Sequence, residues 1–150
     1  MMEKAGKATF VYVTYIAVPP EKVWDALIDG EATRQYWQHD NVSDWKPGSK
    51  WEHRRIDGSG KSDIAGTVVE TARPSRLVVT WANPDELTKP GAQSRVTYDI
   101  QPHGSGHTRL MVTHDELEPG SKMERGISYG WPLVLSSLKS WLESGKPIPF

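Results

Sequence analysis

Two histidines in this chain fall where imidazole could do chemistry. Along the predicted strands, His53 shares a side with Trp51 and Arg55, and His114 shares a side with Leu110 and Val112. A histidine on the inner face of a sheet can orient a ligand by hydrogen bonding or act as a base near neutral pH. The competing reading of each is a core histidine whose nitrogens are satisfied by the protein itself. The same alternation aims Trp81 inward with Leu77 and Val79, and Tyr98 inward with Val96 and Ile100. Trp131 belongs to a stripe of Met123, Ile127, Leu135, Leu138 and Leu142, spaced by three and four residues as on one helical face. Ligand pockets are mostly apolar and aromatic with a few placed polar groups. Trp51, Trp81, Tyr98 and Trp131 therefore line a cavity or pack a core, with His53, Arg55 or His114 available to fix a polar end. Trp37 and Trp45 flank the expected mouth, Trp45 being equally readable as a loop anchor, whereas Trp24 on a short helix reads as core.

Other reactive residue types lead to weaker chemistry. His103 and His107 bracket Gly104-Ser105-Gly106 in a tight turn, where both point to solvent, and no further ligands complete a metal site. His39-Asp40 lies in a polar stretch, and without a Gly-x-Ser-x-Gly elbow it makes no hydrolase triad. Glu116 and Glu118 stand beside Pro119 and Gly120 in an exposed connection, a setting for solvated charge rather than acid-base work. Gly58-Ser59-Gly60-Lys61-Ser62 joins two strands, where a phosphate loop needs a strand and a helix. No motif requires a cofactor.

The elements that position these residues follow from periodicity and punctuation. Phe10 to Ala17 is β-branched and aromatic and ends at Pro19-Pro20, which makes a first strand. Pro20 opens a short helix with Val23, Trp24, Leu27 and Ile28 on one face; Gly30 stops it, and a second short helix follows over 31–37. Strands are expected over 50–56, 62–71, 76–81, 94–101 and 108–115, about six in all with the first, linked by hairpin turns. A long C-terminal helix is expected to start near Trp131, with Pro132 in its first turn and Gly145 closing it. Whether 121–129 forms an earlier segment, bent at Gly126 or Gly130, stays open. The order gives an α+β fold with an antiparallel sheet under the long helix.

Composition narrows the partners. The 150 residues carry a net charge of −1 with no block of like charge, so nothing marks a nucleic-acid or membrane-surface binder. The chain has no cysteine, which fits a reducing compartment, and its first apolar run reads as a strand rather than a signal peptide. A cytoplasmic protein is expected.

Val23-Trp24-Asp25-Ala26-Leu27, Tyr36-Trp37, Pro47-Gly48, Gly66-Thr67-Val68, Arg76-Leu77-Val78, Thr108-Arg109-Leu110, Thr113-His114 and Gly130-Trp131-Pro132 run in order along nearly the whole chain. Together they resemble the bacterial homologues of the activator of heat-shock-protein-90 ATPase, within the START-like (SRPBCC, Bet v 1-like) helix-grip superfamily. The resemblance implies one START-like domain over 1–150, with a curved antiparallel sheet gripping the long helix around a hydrophobic cavity. It implies a hydrophobic small-molecule ligand, lipid or polyketide-like; the residues that alternation and the helical stripe aim inward, Trp51, His53, Arg55, Trp81, Tyr98, Val112, His114, Ile127, Trp131 and Leu135, would line its cavity, with Trp37 at the mouth. The alternatives are a co-chaperone-like contact with heat-shock protein 90 and a cyclase or hydrolase working in the same cavity. A homodimer is left open. Fold alone decides none of these.

Overall fold

The computed structural model of the protein describes residues 6–150. Strand β1 (Ala8–Ile16) is followed by helices α1 (Pro20–Ile28) and α2 (Gly30–Tyr36), then by β2 (His39–Val42), β3 (Lys50–Arg55), β4 (Ser62–Ala72) and β5 (Arg76–Trp81). A 3-10 turn at Pro84–Glu86 leads to β6 (Ser94–His103), β7 (His107–Leu117) and the long helix α3 (Lys122–Ser144). The strands form one seven-stranded sheet in the order β1-β7-β6-β5-β4-β3-β2, with every neighbouring pair antiparallel. Register shifts interrupt the β1–β7, β3–β4 and β4–β5 ladders, and such bulges bend a sheet. The curved sheet and α3 enclose the core, which this helix-grip arrangement places on one face of the sheet.

The strand missing from the sequence reading is β2. His39-Asp40-Asn41-Val42 has no apolar alternation, and Asp and Asn disfavour strands. Pairing supplies what propensity lacks: Asn41 faces His53 across the ladder, and its N–H donates to Thr33 Oγ1 of α2 at 3.0 Å. The two short helices meet at Asp29, which closes α1 and caps α2 by accepting from the Glu31 N–H at 3.0 Å.

Helix α3 begins nine residues before the expected start at Trp131, at Lys122, and runs unbroken through Gly126 and Gly130. Ser121 caps it by accepting from the Glu124 N–H at 3.1 Å, while Glu124 reaches back to the Gly120 N–H at 2.7 Å, close to a capping box. Pro132 therefore lies inside the helix and deprives the Ser128 carbonyl of its partner, but Ser128 is exposed and water can replace the bond. Packing of Ile127, Trp131, Val134, Leu135 and Leu138 on the sheet overrides these weak helix formers. Gly145, at φ 79, ends the helix as its position in the sequence implies. No helix among the described residues is long and apolar enough to cross a membrane.

Candidate functional site

Strand β5 ends at Trp81, whose indole is the centre of an aromatic cluster between the sheet and α3. Ring centroids of Trp51 and Trp131 stand 5.5 Å from it, that of His114 5.3 Å, that of His53 6.2 Å and that of Trp37 6.4 Å. Tyr98 meets Trp131 edge-on at 6.0 Å, and Val112, Ile127 and Leu135 complete the buried surround. Each element delivers its residue by simple alternation: β3 gives Trp51 and His53, β6 gives Tyr98, and β7 gives Val112 and His114.

Trp51 is held by a close backbone approach. Its Nε1–H donates to the Thr80 carbonyl at 2.8 Å, across Gly66 of β4. A Cβ on residue 66 would lie 2.0 Å from that carbonyl oxygen and 2.7 Å from the indole nitrogen, so only glycine lets the ring pass.

His114 is fully occupied. The Trp131 Nε1–H donates to His114 Nδ1 at 3.0 Å, so that nitrogen carries a lone pair. The proton is then on Nε2, which donates to Ser94 Oγ at 2.7 Å, and Ser94 donates onward to the Trp81 carbonyl at 3.1 Å. A catalytic serine–histidine pair needs the reverse, with Nε2 free to take the serine proton. Burial pushes the imidazole down to about 4, which keeps it neutral.

His53 is half occupied. Its Nδ1–H donates to Asn41 Oδ1 at 2.5 Å, and its Nε2 has no hydrogen-bond partner among the described residues. Burial, then the neighbouring His39, push this imidazole down to about 3. His39 stacks flat on it, centroids 3.8 Å apart and planes 8° from parallel. The His39 ring nitrogens lie 2.8 Å from Asp63 Oδ2 and 3.1 Å from the Trp37 carbonyl. Trp37 closes the other flank of His53 at 4.8 Å, and the turn between Trp37 and His39 runs through Gln38 in the left-handed region at φ 56.

Of the residues singled out from sequence, Trp37, Trp51, His53, Trp81, Tyr98, Val112, His114, Ile127, Trp131 and Leu135 are brought together, none more than 7% exposed. Arg55 is not among them. Arg55 keeps the parity of His53, paired with His39 of β2, but it ends β3 at the rim of the sheet and is exposed, its Nε donating to Asp63 Oδ1 at 2.7 Å. Trp45, partly buried in its loop, lies 6.3 Å from Trp51 and anchors β4 by accepting from Thr71 Oγ1 at 2.6 Å. Three polar participants escaped the sequence reading: His39, Asn41 and Ser94. Ser94 shares parity with Val96 and Tyr98, a signal that was present; His39 and Asn41 depend on a strand with no signal of its own.

Two side-chain polar atoms are fully buried without a hydrogen-bond partner among the described residues, Trp24 Nε1 and Trp81 Nε1. The second is in the middle of the cluster. Two surface clefts, of about 550 and 640 Å³, lie elsewhere: one against Lys7, Ser94, Leu117 and Met123, the other against Asp29, Asp40 and Arg54. Ser94 alone connects the first of them to the His114 relay.

The family model described as "Activator of Hsp90 ATPase homolog 1-like protein" matches residues 17–143. No curated protein matches the chain at a significant level. Among solved structures, the chain is similar to the protein ChR145 from Cytophaga hutchinsonii at 27% identity and a TM-score of 0.73, over 95% of this chain and 98% of that one. It is similar to the Aha1 dimer from Colwellia psychrerythraea at 20% identity and a TM-score of 0.75, over 93% and 98% of the two chains. An HSP90 activator from Plasmodium falciparum matches at 24% identity and a TM-score of 0.71, over 93% and 97%.

Proposed function

The chain belongs to the activator of Hsp90 ATPase homologue 1-like family, and we propose that its own role is to bind a small apolar or aromatic molecule between the sheet and α3. The observation that carries this reading is the Trp81 indole N–H, buried without a partner at the centre of the rings. An unmade hydrogen bond of this kind costs about 1–3 kcal/mol; Trp24 Nε1 carries the same cost on α1, and what sets Trp81 apart is its place among the rings beside a half-occupied histidine. The rings of Trp37, Trp51, Trp81 and Trp131 would sandwich the ligand, and His53, with one nitrogen unengaged, would meet its polar end. The rings already pack on one another with centroids 4.8–6.4 Å apart, so binding requires a wall to move. The wall formed by Trp37 and β2 is the least secured, because β2 is four residues long and is an edge strand.

Tryptophan fluorescence titration with hydrophobic ligands tests the reading. Saturable quenching is expected; its absence across the panel, together with a clean apoprotein in native mass spectrometry of material from the protein's own source, overturns it. The relay around His114 holds the tautomer opposite to that of a general base, which speaks against hydrolysis or cyclisation through that residue.

A contact with heat-shock protein 90, or with a second copy, is the alternative use of the fold. The observation favouring it is edge strand β1, whose outward Val11, Val13 and Tyr15 are exposed. Stimulation of a cognate heat-shock protein's ATPase, or a dimer in sedimentation, would support it and should be lost on Val13→Lys.

A further inference from the structure

The ring nitrogens of the cluster are mostly spoken for. Trp51 Nε1 is bonded to Thr80, Trp131 Nε1 to His114, His114 Nε2 to Ser94 and His53 Nδ1 to Asn41. The Trp37 indole nitrogen, the fully buried Trp81 Nε1 and His53 Nε2, on a side chain 5% exposed, are left, and the rings of the last two stand 6.2 Å apart. Their chemistry is opposite and fixed. An indole N–H can only donate, and an imidazole that has given its one proton to Asn41 can only accept at its other nitrogen.

A ligand group complementary to this pair must accept and donate at once. A carboxylate or phosphate only accepts, and it would also need a cation, whereas Arg55 is turned outward to Asp63 and the buried histidines are neutral. An ammonium only donates and finds no acid in the cluster. An ether or ketone satisfies the indole and leaves His53 facing a second acceptor. The hydroxyl group is the smallest that does both through one atom, and the two rings, 6.2 Å apart and tilted by 35°, are near enough for one oxygen to serve them.

Resting on the binding reading above, we infer that the ligand is an aromatic alcohol whose hydroxyl accepts from Trp81 Nε1–H and donates to His53 Nε2, its ring lying among Trp37, Trp51 and Trp131. Acids of the same size are excluded by the uncharged cluster, and hydrocarbons of the same size leave both polar atoms unmet.

Isothermal titration calorimetry at pH 7.5 with 2-naphthol, 2-methoxynaphthalene and 2-methylnaphthalene tests this. The three share a ring system and differ in offering both hydrogen-bond roles, acceptance only, or neither. Wild-type protein is expected to bind 2-naphthol about tenfold more tightly than 2-methylnaphthalene, with 2-methoxynaphthalene between them, as one or two buried hydrogen bonds would give. Trp81→Phe, which keeps a ring and removes the donor, should reduce the ratio of 2-naphthol to 2-methylnaphthalene affinity several-fold, whatever the smaller ring does to both. Equal binding of all three by the wild type overturns the hydroxyl assignment and leaves the apolar binding reading standing. Binding of none overturns both. The wild-type series decides the question by itself if Trp81→Phe does not fold.

Discussion

Trp81 on β5 has a histidine two strands away on either side, His114 on β7 and His53 on β3, and the protein treats them differently. On the β7 side every polar atom of the relay is used: Trp131 donates to His114, His114 to Ser94, and Ser94 to a carbonyl. The relay ties α3 to the sheet through two elements at once, so it acts as a fixed joint. On the β3 side, His53 uses one nitrogen, is covered by His39 and Trp37, and is backed by the shortest strand of the sheet. Satisfied polar networks rigidify a core and partly satisfied ones do not. The difference makes the β7 side the more rigid of the two and the β3 side the looser.

The comparison breaks first at His114. His114→Ala removes a buried ring, strands the Trp131 Nε1–H and takes from Ser94 Oγ the bond it accepts, so a loss of about 4 kcal/mol is expected in urea unfolding, against about 2 kcal/mol for His53→Ala at the looser wall. Equal losses would mean that the two sides are alike. Acid gives the next largest effect. Both histidines are held neutral in the fold, while the unfolded chain takes up their protons below about pH 6.5. The stability is therefore fully present above pH 6.5 and is lost as pH falls towards about 4 for His114 and about 3 for His53. His114 alone should account for about 3 kcal/mol of that decline. Unfolding midpoints at pH 7.5, 6 and 5 check this; a flat profile would show that the histidines are solvated.

Much of this arrangement was legible in the sequence, for reasons that also mark where reading stops. Alternation placed Trp51, Trp81, Tyr98 and His114 on one face because their strands are regular there, and the three-four spacing placed Ile127, Trp131 and Leu135 on theirs. Arg55 lies outside the cluster because parity gives a side and not a depth: it is the last residue of β3, where the sheet's rim lets its guanidinium reach Asp63 and solvent. Strand β2 was invisible because its formation depends on β3 and on Thr33, not on its own residues. The start of α3 was misjudged at Pro132 because proline suits a first helical turn, whereas here the Ser121 cap and the packing of Ile127 carry the helix through. Whether His114 was a satisfied core residue or a working one could not be read, since that turns on which nitrogen Trp131 reaches.

Gly66→Ala attacks the third support, the passage of Trp51 to Thr80. With a methyl group forced to within 2.0 Å of a backbone oxygen, β4 must shift, and a loss of about 2–3 kcal/mol is expected, with Trp51 emission moving to longer wavelength as its ring is displaced. Unchanged emission would show that the strand yields and the ring does not.

The smallest effect separates the two sides most cleanly, because the same chemical change is made on each. Trp131→Phe takes the donor from His114 Nδ1 and leaves a buried acceptor unmet, so about 2 kcal/mol should be lost beyond the change in ring size. Trp81→Phe removes an N–H that had no partner, so the desolvation term is recovered and the net change should stay within about 1 kcal/mol. The two indoles stand 5.5 Å apart in one cluster, so a difference in their unfolding midpoints reports hydrogen bonding rather than burial. If Trp81→Phe were as damaging as Trp131→Phe, the Trp81 N–H would have to be engaging a neighbouring ring face, and the β3 side would be as fixed as the β7 side.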